Sequence, residues 1–309
     1  MATSVPPTEL VVYHSWIDAF LVSVFVELFM DGLYSALMIV AVLIIMNVKH
    51  NKTLSNYMMY TSIFLLYAMC MIHLGSWTFH VHDGFINHTG DTATIFSFFT
   101  TANRQALVRN VMAIAMTFIA DSILVWRVFA LWGSNWKVTL VPLSLTLFSL
   151  AFGIQYVYSA TNTSNLISLQ WIDDVAAIYY GSTLGNTVIS TLLILFRVHK
   201  LTGTKGMNRY WHVLSLVVES AVLYSVALII YMPFVTQTNF AIHAPTEIVQ
   251  SVVIPITGIA PTLLVVRVII NKELSLNHVD GDARSFLTDV VFSSRHARTE
   301  DDSNIKNSA

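Results

Sequence analysis

The sequence predicts an all-α polytopic membrane protein, a seven-transmembrane helix bundle with its N-terminus outside and its C-terminus cytoplasmic. Three observations carry that expectation. The 309 residues are 55% hydrophobic and only 11% charged, well away from the composition of soluble domains. Seven apolar runs are each long enough to cross a hydrocarbon core of about 30 Å, which takes about 20 residues of helix. Lys and Arg gather in alternate connections, the asymmetry that orients membrane helices.

The elements follow in chain order. Residues 1–19 form an extracellular N-terminal segment; MATSVPPTELVVYHSW has no Lys or Arg, so it lacks the basic region of a secretory signal and the first apolar helix is expected to insert uncleaved. The seven-helix domain covers 20–272, with helices at about 20–46, 57–79, 107–132, 138–158, 175–197, 212–235 and 248–270. The long connection HVHDGFINHTGDTATIFSFFTTANRQA reads as an outer loop and GSNWK as a short inner one. Residues 273–309 are a polar cytoplasmic tail of disordered composition. Within it, ARSFLTDVVF sets Phe286, Leu287, Val290 and Val291 on one helical face, which suits a helix lying on the membrane and equally a short apolar patch in a flexible tail.

Orientation rests on the cations. Lys49, Lys52, Arg127, Lys137, Arg197, Lys200, Lys205, Arg209, Arg267, Lys272 and the tail's Arg284, Arg295, Arg298 and Lys306 fall on one side, and Arg104 and Arg109 on the other. Trp16, Trp77 and Trp171 are expected at the outer interface and Trp132, Trp136 and Trp211 at the inner one. Sequons at Asn87 and Asn162 then face outward as glycosylation sites, while that at Asn51 falls inside and stays unmodified.

Composition also excludes. A net charge of −2 gives no basic surface for a nucleic acid. Cys70 is the single cysteine, so no internal disulfide and no cysteine metal centre can form. No cofactor motif is found, and no Ser/His/Asp arrangement or metal triad emerges at workable depth, so no enzyme, no catalytic residue and no resident metal are expected.

Ionisable residues at membrane depth are the candidate functional groups. Asp121 lies about 21 Å below the start of the third helix and Glu219 about 10 Å above the start of the sixth, so the two acids share a depth and Glu219 is the partner expected for Asp121. Arg127 is rotated about 120° from Asp121 and cannot easily reach it. The pattern fits a switch whose pairing differs between two packings; it also fits a positive-inside anchor at Arg127 and a structural hydrogen-bonder at Asp121. Glu27 and Asp31, at i and i+4 on the first helix, share a face, with Glu27 expected to be wet. These acids could form a proton relay if they met.

His73, His80, His82 and His88 cluster near the end of the second helix. His80 and His82 with Asp83 have metal-ligand chemistry, but loop histidines at a polar boundary are the reading taken. Tyr179, Tyr180 and Asn186 are candidates to line an outward-opening ligand pocket between the fourth and fifth helices. Gly181 and Gly185 form a GxxxG that permits close helix approach, and Pro255 and Pro261 around Gly258 can kink the seventh helix.

Two segments, DSILVWRVFALWGSNWKVTLVP at 121–142 and TGIAPTLLVVRV at 257–268, resemble a family of seven-transmembrane membrane proteins of mushroom-forming (basidiomycete) fungi, GPCR-like in topology. The resemblance implies the fold and a multi-pass membrane location and carries over no catalytic residues. The sequence departs from rhodopsin-like receptors: the third helix ends in WRVFALWG rather than an Asp/Glu-Arg-Tyr triplet, and the seventh lacks Asn-Pro-x-x-Tyr. No lysine lies mid-way along the seventh helix to hold retinal, and no histidine pair to make it a ceramidase-type zinc hydrolase.

Topology and resemblance together imply a receptor-like protein of the plasma membrane, embedded in lipids. A small-molecule ligand, external or intramembrane, would bias helix packing, and the basic segment 199–211 with the tail would engage a cytosolic signalling protein. The alternative is a transporter or channel that uses the intramembrane carboxylates for proton or ion coupling.

Overall fold

The computed structural model describes residues 7–47, 54–88, 91–101, 104–161, 166–236, 244–267 and 269, and their regular structure is entirely helical. Among the described residues seven stretches are long and apolar enough to cross a membrane: Leu10–Asn47, Tyr57–Ile86, Arg104–Leu131, Trp136–Thr161, Trp171–Lys200, Val218–Val235 and Pro245–Arg267, called the first to seventh helices below. All seven expected spans are present.

Helical hydrogen bonding is assigned without interruption over Leu166–Val235, 70 residues, which if straight would extend about 105 Å. The ring centroids of Tyr180 and Tyr231 nevertheless lie 4.8 Å apart. The chain therefore doubles back between Lys200 and Val218, and the two halves pack as the fifth and sixth helices. The side chains at 201–217, and with them most of the expected partner surface at 199–211, lie outside those described, as do the tail after 269 and Asn162.

The connection between the third and fourth helices shows how local sequence sets the fold. The Gly133 N–H donates to the Ala130 carbonyl and the Ser134 N–H to the Phe129 carbonyl, a Schellman closure of the third helix with Gly133 in the left-handed region at φ 63°. Ser134, also at φ 63°, completes the reversal. Asn135 then caps the fourth helix, its side-chain oxygen accepting the Lys137 N–H at 3.1 Å.

The seventh helix is the axis of the bundle, with 67% of its apolar window buried against 22% for the first. Its residues enter every core cluster. Val253, Ile256 and Ala260 pack with the fifth and sixth helices around Tyr180, Tyr224 and Tyr231. Ile254 meets Tyr34, Leu66 and Met116, Leu264 meets Val128 and Ile194, and Val265 meets Ile63. Residues such as Phe25, Phe29, Ile39 and Met46 instead face outward on the first helix, as the lipid side of a spanning helix requires.

Two structural expectations are corrected. A Cβ on Gly181 would meet only a Met232 methyl at 3.7 Å and one on Gly185 nothing within 4 Å, so that glycine pair is not a site of close approach. Close approach occurs at Gly258, where a Cβ would come within 2.7 Å of the Tyr34 ring. The stretch taken for a long outer loop holds an extension of the second helix to Ile86 and a short helix, Thr92–Thr100. Phe96 of that helix stacks on Tyr13 at 4.4 Å and Phe99 packs on Phe20 at 4.7 Å, so apolar burial against the first helix gives TATIFSFFT its structure. Trp16 and Trp77 lie within this aromatic layer, 6% and 3% exposed, whereas Trp136 and Trp171 are exposed.

Candidate functional site

Two acids one helical turn apart on the first helix face two residues one turn apart on the second. Nδ1 of His73 lies 2.6 Å from Oε1 of Glu27, and the Cys70 thiol donates to Oδ1 of Asp31 at 3.0 Å. All four side chains are almost fully enclosed. Glu27, expected to be wet, is 1% exposed, because the second helix and the aromatic layer cover it. The like-charge conflict expected at i and i+4 is met by giving each acid its own partner on the neighbouring helix. Two buried atoms of this ladder, Oδ2 of Asp31 and Nε2 of His73, have no hydrogen-bond partner among the described residues.

A second paired group joins the third and seventh helices. Arg109 bonds Oε2 of Glu247 at 3.0 Å, and its guanidinium lies 4.1 Å from the centroid of the Trp77 ring, a cation–π arrangement. The indole N–H of Trp77 donates to Ser23 at 3.1 Å. Sequence reading placed Arg109 among the cations facing outward and did not single out Glu247. The available signal was an acid at the very start of the seventh helix with a cation near the start of the third. Glu27 is within coulombic reach of Arg109, so the ladder and this pair form one polar region.

Asp121 is different. It is fully enclosed, and neither carboxyl oxygen has a hydrogen-bond partner among the described residues. Asn186 of the fifth helix is set against it without completing a bond of good geometry; the Asn186 amide instead donates to Thr146 at 3.1 Å and its oxygen accepts from Ser190 at 3.3 Å. The Tyr179 and Tyr224 phenols stand within coulombic reach. The expected Asp121–Glu219 pair is not formed. Glu219 bonds Arg267 of the seventh helix at 2.6 Å, with its side chain 65% exposed, because it sits on the outward face of the sixth helix.

Arg127 lines a small cleft of about 30 Å³ between the third, fifth, sixth and seventh helices, with Thr187, Thr191, Ser220, Tyr224 and Thr257 among its walls. It makes no hydrogen bond or ion pair with a described residue. Tyr179, Tyr180 and Asn186 do not line this cleft. They are buried in the core, with Tyr179 and Tyr180 ring to ring at 4.7 Å, so the outward-opening pocket expected between the fourth and fifth helices gives way to tyrosine packing.

The histidines divide. His73 belongs to the ladder, and His80 is buried against Phe98 and Phe99 at 5.0 and 5.3 Å. His88 stacks on Phe98 at 4.1 Å, and His82 is exposed. No group of three or more His, Cys, Asp or Glu among the described residues is placed to hold a metal. Asn87 is exposed, its amide bonded to Asp83 at 2.6 Å. No family model, curated protein or solved structure matches the chain. The chemistry on offer is charge placement: one region of partnered ionisable groups at the end holding Trp77, and an acid and a cation without ion-pair partners among the described residues toward the end closed by Gly133.

Proposed function

We propose that this is a non-enzymatic, receptor-like integral membrane protein of the plasma membrane. A ligand acting from outside or within the bilayer alters how the third helix packs on the fifth, sixth and seventh, and a cytosolic partner reads the change at 199–211 and the tail. The observation that carries the reading is Asp121: a fully enclosed carboxyl that has the Asn186 amide set against it but completes no hydrogen bond among the described residues is costly in this packing, and that cost favours a second packing in which it is met. Support for an outside N-terminus comes from the distribution of Lys and Arg and from the resemblance of 121–142 and 257–268 to the fungal seven-helix family; that orientation makes Asn87 and Asn162 glycosylation sites.

A transporter is the second reading, favoured by the chain of polar groups from Glu247 and Arg109 through Glu27 and His73 to Asp31 and Cys70. One experiment separates the two. In sealed vesicles with spin labels at Ala130 and Val222, both exposed, the receptor reading expects Asp121→Asn to redistribute the distance between the third and sixth helices, with no proton or ion flux. A flux abolished by Glu27→Gln, with an unchanged distance distribution, makes the protein a transporter.

A further inference from the structure

We propose that the Arg127 cleft is a binding site for a single small, weakly hydrated anion of the halide class. The inference stands whether the bundle signals or transports.

Arg109 has Glu247 and the Trp77 face. Arg197 donates to the Leu131 carbonyl at 3.2 Å and lies over Trp132. Arg267 has Glu219. Arg127, also in the body of a helix, faces a cavity and has no anionic or carbonyl partner among the described residues. A guanidinium has five donors, no acceptor and a permanent charge, so it cannot relieve an apolar setting by losing its proton, and an anion is the complement it lacks.

Wall chemistry narrows the class. No carboxylate lines the cleft, and most of the wall is apolar, contributed by residues such as Leu124, Pro261 and Leu264. The threonine hydroxyls nearby spend their protons on their own helices: Thr187 on the Thr183 carbonyl, Thr191 on that of Thr187 and Thr257 on that of Val253. The Ser220 and Tyr224 hydroxyls also line the cleft, but its charged donor group is Arg127, on one side. A phosphate or carboxylate would leave several oxygens against hydrocarbon without donors, which is costly. A spherical, polarisable ion needs only the cation and tolerates the apolar wall. Size allows it, since the cleft has room for more than a single water-sized sphere and so for one monatomic ion.

The test uses the full chain in nanodiscs of zwitterionic lipid, melted in sodium gluconate and in sodium chloride or bromide at equal ionic strength. The expected result is a melting temperature about 3 °C higher in halide, with bromide at least as effective as chloride. The response disappears in Arg127→Gln and in Ala260→Leu, which leaves Arg127 in place and fills the cavity that Ala260 lines. Three results overturn the proposal: no halide response in the wild-type chain, an equal response in both variants, or a response only to added anionic lipid, which would make Arg127 a headgroup anchor. If Arg127→Gln does not fold, Ala260→Leu alone decides.

Discussion

The end of the bundle that holds Trp77 and the end closed by the Gly133 turn treat charge in opposite ways. In the first, Glu27, Asp31 and Arg109 each meet a side chain on another helix, at 2.6, 3.0 and 3.0 Å. In the second, Asp121 is fully enclosed and Arg127 half-buried, both without such partners among the described residues. Paired charges act as staples, because breaking one leaves the other uncompensated. Unpaired charges do the reverse: they raise the free energy of the packing that strands them, so that end is where a change of packing, or an ion, has most to gain. The comparison predicts that substitutions will differ in sign between the two ends.

The largest effect is expected from Glu27→Ala, which strands His73 in the ladder. It should lower stability by about 3 kcal/mol, or about 8 °C in melting temperature. A double-mutant cycle with His73→Gln should recover much of that as coupling between the two sites; additive losses would mean that the 2.6 Å contact is not a staple. Next is Gly258→Ala, whose Cβ would enter the ring of Tyr34, itself fully buried and 3.3 Å from the Thr262 hydroxyl. Overpacking there should cost about 2 kcal/mol. Gly185→Ala, with open space around it, should cost nothing and provides the control in the same thermal melts.

Much of the fold was legible in the sequence because hydropathy over about 20 residues is a local property, and the turn at Gly133 was legible because glycine and asparagine act over a few residues. The site was less so. Sequence reading identified Asp121, Asp31 and Glu27 by the cost of charge in a membrane, but who pairs with whom depends on helix rotation. Matching Asp121 to Glu219 by depth alone missed that Glu219 looks outward to Arg267. Cys70 stood out only as a lone cysteine and His73 only as one of four clustered histidines; their pairing with Asp31 and Glu27 depends on how the second helix is turned toward the first. The Thr92–Thr100 helix escaped because its phenylalanines gain their burial from Tyr13, Trp16 and Phe20, far away in sequence.

Opposite in sign to the stapled end is Asp121→Asn. Removing the charge while keeping the shape should raise stability by about 1 kcal/mol, read as a melting temperature about 3 °C higher. A fall comparable to that of Glu27→Ala would mean that Asp121 has a strong partner after all and would remove the contrast between the two ends.

The smallest effect is expected at Glu219. Its side chain is 65% exposed and that of Arg267 28%, so Glu219→Gln should leave the melting temperature unchanged, as for ion pairs open to solvent. A large loss would instead place the pair in hydrocarbon, where separating the charges is expensive. The informative comparison is the double variant with Asp121→Asn. In the packing described here the two acids have separate surroundings, so their effects should add to within about 0.5 kcal/mol. Non-additivity in the absence of contact would have a specific meaning: in the second packing of the bundle, Glu219 leaves Arg267 and comes under the influence of Asp121.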